Sequence, residues 1–271
     1  MKGVAFVTQP AFRSLVGVVV VLGLLGLSTV APARLGAKPD VIYVPTPTEV
    51  VDRMLELAKP VQGELLMDLG SGDGRIPITA AERYGVHAIG IDIDPQRISE
   101  AQSNAKIARV ENAVEFRQEN LFETDISKAN VITLYLLNEL NVKLRPRLLE
   151  DLQPGTRVVS HAFSMGDWEP ERHERVDGRN VYFWVVPARV EGRWRLDAGG
   201  NAGISLDLKQ KYQKVSGSAQ IDGRSVPLED ARLQGAEISF KLDGKTYHGK
   251  VDGSSMSAID GNGDAWRAVR N

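Results

Sequence analysis

The sequence predicts an α/β domain, a mainly parallel sheet with helices on both faces, followed by a small antiparallel all-β domain. Three observations carry this. Short apolar strands alternate with helical stretches between Leu65 and Val186. A run of alternate glycines directly follows the first strand. Beyond Pro187 helical periodicity stops, and alternation with Asp-Gly pairs replaces it.

The chain has 271 residues, enough for one large or two modest domains. Its 42% hydrophobic and 25% charged residues are an ordinary globular composition. A net charge of −2 argues against a broad nucleic-acid-binding surface. With no cysteine, disulfides, thiolate metal sites and a cysteine nucleophile are excluded. His87, His161, His173 and His248 show no metal-ligand spacing, and no metal is expected.

In chain order, Lys2 and Arg13 precede an almost wholly apolar stretch, Ser14–Val30, and Ala31-Pro32-Ala33 follows. This is the layout of a signal peptide, and the stretch is marginally long enough for an uncleaved anchor. Residues 36–47 form a connector whose Pro-Thr-Pro stays extended. Thr48 is the expected cap of a helix carrying Val50, Val51, Met54, Leu55 and Leu57 on one face.

The chain is organised around residues 64–75, ELLMDLGSGDGR. Leu65, Leu66 and Met67 form a buried strand that Asp68 closes. Gly70, Gly72 and Gly74, with Ser71 between them, then suit a sharp turn into a helix where a ligand approaches the backbone. A dinucleotide fingerprint would need a third glycine at 75, which is Arg. Ile76–Tyr84 is the next helix, ending at Gly85. His87–Ile91 is the second strand, with Asp92 at its tip. Asp94 before Pro95 caps the helix read as Ile98–Val110. Val114–Arg117, Val131–Leu137, Thr156–His161 and Tyr182–Val186 are further strands, with a helix over Leu140–Leu152 that restarts at Pro146. Ligands gather at the carboxyl ends of such strands, where Asp68, Asp92, Asn120, Tyr135 and His161 should lie.

In the last part, Asp222-Gly223, Asp243-Gly244 and Asp252-Gly253 separate short strands, as in a small barrel or sandwich. Asp252, Asp260, Asn262 and Asp264 lack the spacing of a calcium loop and read as turn residues.

Asp68, Gly70, Gly72 and Gly74 form D-x-G-x-G-x-G, which resembles the first motif of class I S-adenosylmethionine (SAM) methyltransferases. YVPTPTEVVDRML, MDLGSGDGRIPITAA, GIDIDPQRI, TLYLLNELNVKLRPRLL and LQPGTRVVSHAFSMGDWEP, in order over residues 43–170, narrow the likeness. They resemble bacterial relatives of the lysine methyltransferases that modify the ATP synthase c-subunit and the adenine nucleotide translocase. The resemblance implies a Rossmann-like SAM methyltransferase sheet, SAM as cofactor and a protein-lysine acceptor, often in a membrane protein. Asp92 would accept the ribose hydroxyls, Asn120 the adenine amino group, and Thr46 and Pro47 would close over SAM. Asp68, Gly70, Ser71, Gly72 and Gly74 complete the expected cofactor site. Tyr135 and Asn138 are the catalytic candidates, although Tyr135 also suits a core aromatic and Asn138 or Glu139 a helix cap. His161 is either a base or a structural hydrogen-bond partner; Asp167 and Trp168 either line the substrate entrance or cover the sheet.

The expected domains are a signal peptide or anchor over 1–35, a methyltransferase domain over 36–190 and a β domain over 191–271. SAM is made in the cytosol and does not cross bilayers unaided, which favours a cytosol-facing anchor over export. Two alternatives stay open: a small-molecule or lipid methyltransferase, and an exported, non-catalytic binding protein on the same scaffold.

Overall fold

The computed structural model describes residues 43–198, 201–259 and 265–271. Helix α1, Thr48–Ala58, begins one residue beyond its cap position, where the Pro47 carbonyl accepts the Val50 and Val51 N–H groups. Strand β1, Leu65–Leu69, runs into a turn where Gly70, Gly72 and Gly74 all have positive φ. Helix α2, Arg75–Tyr84, starts straight after it. Strand β2, His87–Asp92, leads to α3, Pro95–Ala108, whose cap Asp94 accepts the Gln96 N–H at 2.8 Å. This start precedes the Ile98 that apolar spacing picks out, because cap and proline decide it.

Strand β3 is Val114–Gln118 and β4 is Val131–Leu134. The latter is shorter than its apolar run, since Tyr135–Leu137 already turn towards α4, Asn138–Asp151. Helix α4 passes through Pro146 without a restart. Strand β5, Arg157–His161, is followed by a hairpin of β6, Arg172–Val176, and β7, Arg179–Val185. Strand β6 is a polar edge strand without an apolar signature, and Asp177-Gly178 turn it back.

The seven strands lie in the order β3-β2-β1-β4-β5-β7-β6. The first five are parallel, and β7 is antiparallel to both its neighbours. The strand order reverses between β1 and β4, and a crevice opens beyond the carboxyl ends at such a point. Val50, Leu55, Ala80 and Ala101 pack one sheet face, and Leu134, Leu144, Leu148 and Trp184 belong to the core on the other.

The second sheet is wholly antiparallel. Its strands are β8 (Gly192–Ala198), β9 (Asn201–Lys211), β10 (Lys214–Ile221), β11 (Arg224–Pro227), β12 (Glu229–Gln234), β13 (Glu237–Leu242), β14 (Lys245–Asp252), β15 (Ser255–Ala258) and β16 (Trp266–Arg270). Strand β9 pairs with both β8 and β10, so eight strands close into a barrel with β11 as a side arm. Inward residues of successive strands, among them Trp194, Leu206, Phe240, Met256 and Trp266, fill it.

The expectation of an anchored or exported protein is corrected here. Among the described residues no helix is long and apolar enough to cross a membrane. Residues 14–30, which prompted that expectation, lie outside the described residues, as do Asp260, Asn262 and Asp264.

Candidate functional site

A cavity of about 670 Å³ lies at the carboxyl ends of β1, β2 and β4, in the size range of a small-molecule site. Asp68, Gly70, Ser71, Asp92, Asn120, Thr46 and Tyr135 all line it. Of the glycine turn, Gly70, Ser71 and Asp73 reach its wall. A Cβ on Gly72 would collide with the Tyr43 ring, and one on Gly74 would press into Phe116, so both positions need hydrogen there besides their positive φ.

Asp92 is held by the turn it faces. Its Oδ2 accepts the Gly72 N–H at 2.9 Å and its Oδ1 accepts the Asp94 N–H at 2.9 Å. Each oxygen keeps a lone pair for a ligand hydroxyl. Asp68 is buried, and the Thr133 hydroxyl donates to its Oδ1 at 2.7 Å. Burial pushes its carboxyl up to about 7, with the charges of Asp92 and Asp73 adding and the Thr133 bond opposing. A cationic ligand beside it would hold it ionised. The Ser71 hydroxyl, also in the wall, is buried without a partner. These features fit a nucleoside carrying positive charge at an amino acid end.

The extended segment before α1 forms one side. Arg75 donates to the Thr46 carbonyl at 2.8 Å and pairs with Asp73 at 2.6 Å. Burial works to raise the Asp73 carboxyl, but Arg75 brings it below its ordinary value. Arg97 lies over the Tyr43 ring, 4.8 Å from its centre. The Thr46 hydroxyl meets His161 Nδ1 at 3.1 Å, tying the segment to the tip of β5. His161 is buried, and that burial, aided by the Arg179 charge, lowers its pKa to about 4. It is neutral at ordinary pH and too weak a base to hold a proton there.

The Tyr135 ring packs on His161, centroids 3.9 Å apart, and its centroid is 6.3 Å from that of Phe163; Tyr135 and Phe163 are in the wall and His161 is not. Asn138 is exposed in the first turn of α4, outside the cavity wall, and its Oδ1 accepts from the Ser164 hydroxyl at 3.1 Å. Pro47 is the cap position of α1 and Gly74 that of α2, and neither these two nor Gly72 is in the wall. Asn120 Oδ1 accepts the Phe122 N–H at 3.0 Å, which leaves it one lone pair. Glu139 is exposed beside Asn138, and Asp167 pairs with Arg145 at 2.7 Å outside the wall.

Sequence reasoning missed Tyr43, Arg75, Ile93, Arg97, Phe122 and Phe163, all in the wall. The one available signal was apolar character in polar strand-tip turns, at Ile93 and Phe122. The others reach the cavity through contacts distant in the chain.

The match to known proteins follows this geometry. The model of the ANTKMT methyltransferase domain matches residues 68–172. A protein-lysine N-methyltransferase of Saccharolobus islandicus is 46% identical over 153 residues, covering 55% of this chain and 95% of that protein. An ATP synthase C-subunit lysine N-methyltransferase of Xenopus laevis is 27% identical over 73% of this chain and 80% of its own. The solved structure of an RNA methyltransferase from Salinibacter ruber, in complex with S-adenosyl-L-homocysteine, is 56% identical; it covers 54% of this chain and 96% of its own, with a TM-score of 0.53. With 46% identity over 95% of the Saccharolobus islandicus relative, the chain belongs to the family of SAM-dependent protein-lysine N-methyltransferases, and its residues 68–172 match the ANTKMT methyltransferase domain.

Proposed function

We propose that this methyltransferase acts on the side-chain amine of a protein lysine. The observation that carries the reading is the aromatic pair Tyr135 and Phe163 in the wall of the SAM cavity, with His161 buried against Tyr135 behind it. Burial against such a wall takes the amine out of water, which favours its neutral form, and the rings accept the alkyl stem of the lysine. The lysine N-methyltransferase named for Saccharolobus islandicus supports it.

SAM supplies a methyl group on a positively charged sulfur. The chain's own residues bind and orient. Asp92 takes the ribose hydroxyls on its free lone pairs. Ile93 and Phe122 flank the base, with Asn120 accepting at its edge. Asp68, Gly70, Ser71 and the Gly72–Gly74 backbone receive the amino acid end, and Thr46 and Pro47 hold the covering segment. Tyr135 orients the amine for in-line attack, so alignment supplies most of the effect, and Asn138, outside the wall, acts as a positioning residue through Ser164 next to Phe163. His161 is a neutral imidazole at neutral pH and too weak a base to take a further proton, so the amine's proton leaves to water before the methyl is transferred.

The Salinibacter ruber relative, named as an RNA methyltransferase, favours a second reading, an RNA acceptor. The chain's net charge of −2 gives it no general attraction to a polyanion. Incubation of a cell extract with methyl-tritiated SAM and the purified protein separates the two. Label that survives nuclease, is lost to protease and maps to lysine by mass spectrometry is the expected result; label lost to ribonuclease overturns it.

A further inference from the structure

The loop between β5 and β6 carries Phe163 into the cavity wall and is gripped from two sides. From α4, the Asn141 amide donates to the Phe163 and Ser164 carbonyls at 3.1 and 3.3 Å, and Arg145 donates to the Met165 carbonyl at 2.7 Å. From the barrel comes the tip of the β9–β10 hairpin. The Tyr212 hydroxyl donates to Asp167 at 2.8 Å, and its ring stacks on Trp168 with centroids 6.1 Å apart. Gln213 accepts from the Trp168 indole N–H at 3.1 Å and donates to the Glu169 carbonyl at 2.7 Å.

Trp168 is buried and fixes the end of the loop nearest the sheet, where its carbonyl accepts the Trp184 indole N–H at 2.9 Å. Ala162, beside Phe163, sits at φ 65°, a conformation a non-glycine residue keeps only when its surroundings hold it. The Saccharolobus islandicus relative is 95% covered by 153 residues, so it has no room for a counterpart of the barrel. In this chain the barrel adds a second set of bonds to a loop that bears one wall of the acceptor site.

We propose that the β9–β10 hairpin is a built-in brace for the acceptor side of the site, with Tyr212 and Gln213 as positioning residues acting on Phe163 through Asp167 and Trp168. The inference rests on the acceptor reading of Phe163 above, and its test does not depend on whether the acceptor is lysine.

The test compares full-length wild type with the Tyr212→Ala/Gln213→Ala double variant and with Tyr212→Phe, which keeps the ring and loses one bond. Amide exchange over residues 162–169, read by mass spectrometry, should speed up at least tenfold in the double variant and two- to threefold in Tyr212→Phe. Exchange in β1, β2, β13 and β14 should not change. Calorimetric titration with S-adenosylhomocysteine should agree within twofold for all three. With the acceptor fraction labelled in the extract experiment, kcat should fall about tenfold in the double variant at constant KM for SAM, with most of it restored in Tyr212→Phe. Unchanged exchange over 162–169 would mean that α4 holds the loop alone and overturns the proposal. Faster exchange throughout the barrel, or a tenfold weaker S-adenosylhomocysteine affinity, would also overturn it, by making the hairpin a general stability element. Label on RNA would overturn the lysine reading and leave these exchange results standing.

Discussion

In the seven-stranded sheet, the strand tips of β1, β2 and β4 surround an open cavity, whereas the central space of the barrel is filled by Trp194, Phe240, Met256 and Trp266. Parallel strands must be joined by crossover helices, and where the order reverses between β1 and β4 the connections part. Eight antiparallel strands joined in succession leave an interior that side chains can fill. The two regions also bury different chemistry. The polar side chains buried among the described residues, such as Asp68, Thr133, Asn141, Ser160 and His161, all lie in the α/β region. The barrel interior is apolar apart from aromatic edges. A site that must hold charge needs buried polar groups with partners, and one half of the molecule alone supplies them.

Damage should therefore separate by region, and the largest effect should come from the barrel core. Trp266 packs into the space left by Gly249, with its ring 5.9 Å from Phe240 and 5.8 Å from Tyr247. Trp266→Ala should cost about 3–5 kcal/mol in denaturant unfolding while S-adenosylhomocysteine affinity of the folded protein stays within twofold. A parallel loss of affinity would break the separation.

The converse substitution is Asp92→Ala. It removes a carboxylate that faces the cavity but leaves the sheet core intact. Affinity for S-adenosylhomocysteine should drop about 100-fold by calorimetry, or about 2.7 kcal/mol, with Asp92→Asn losing about tenfold. Equal affinity in the Ala variant would remove the basis of the proposed ribose contact.

How much of this was legible beforehand follows the range of the forces involved. The glycine turn, Asp92 at its strand tip and the Asp-Gly turns of the barrel obey local backbone rules, and so they could be read. Strand β6 could not, because an edge strand of Arg, His and Glu carries no apolar pattern. Tyr43, Arg75 and Phe163 enter the site through tertiary contacts: Tyr43 packs on Gly72, Arg75 reaches back to Thr46, and Phe163 follows an α4 anchor at Asn141. None of these pairings has a sequence period. The brace at Tyr212 lies further still, across two sheets.

A third test exploits the acid that the site buries. An acid whose folded-state pKa is raised gives its full stability below the unfolded value and loses it as pH climbs through the folded one. For Asp68 that window runs from about 4 to about 7. Asp68→Asn, which can still accept from Thr133, should match wild type in thermal unfolding near pH 4 and exceed it increasingly up to pH 8. S-adenosylhomocysteine should reverse the order by stabilising wild type more strongly. A variant equally stable at both pH values would mean that Asp68 is ionised without cost.

The smallest effect should come from the tie between the covering segment and β5. Thr46→Val removes the hydroxyl that meets His161 Nδ1 and leaves the imidazole edge without that partner. The expected loss is about 1 kcal/mol in stability, and three- to tenfold in S-adenosylhomocysteine affinity, because Arg75 still holds the Thr46 carbonyl. The pH dependence carries its own check. His161 has a depressed folded pKa, so its contribution is complete above about 6.5 and is lost as pH falls towards about 4. That slope is opposite in sign to the one from Asp68 over much of the same range. His161→Gln should flatten the acid limb of wild-type stability, and Asp68→Asn should flatten the alkaline limb. If either variant flattened both limbs, the two groups would titrate as one unit, and the covering segment and the cavity floor would have to be treated as a single element.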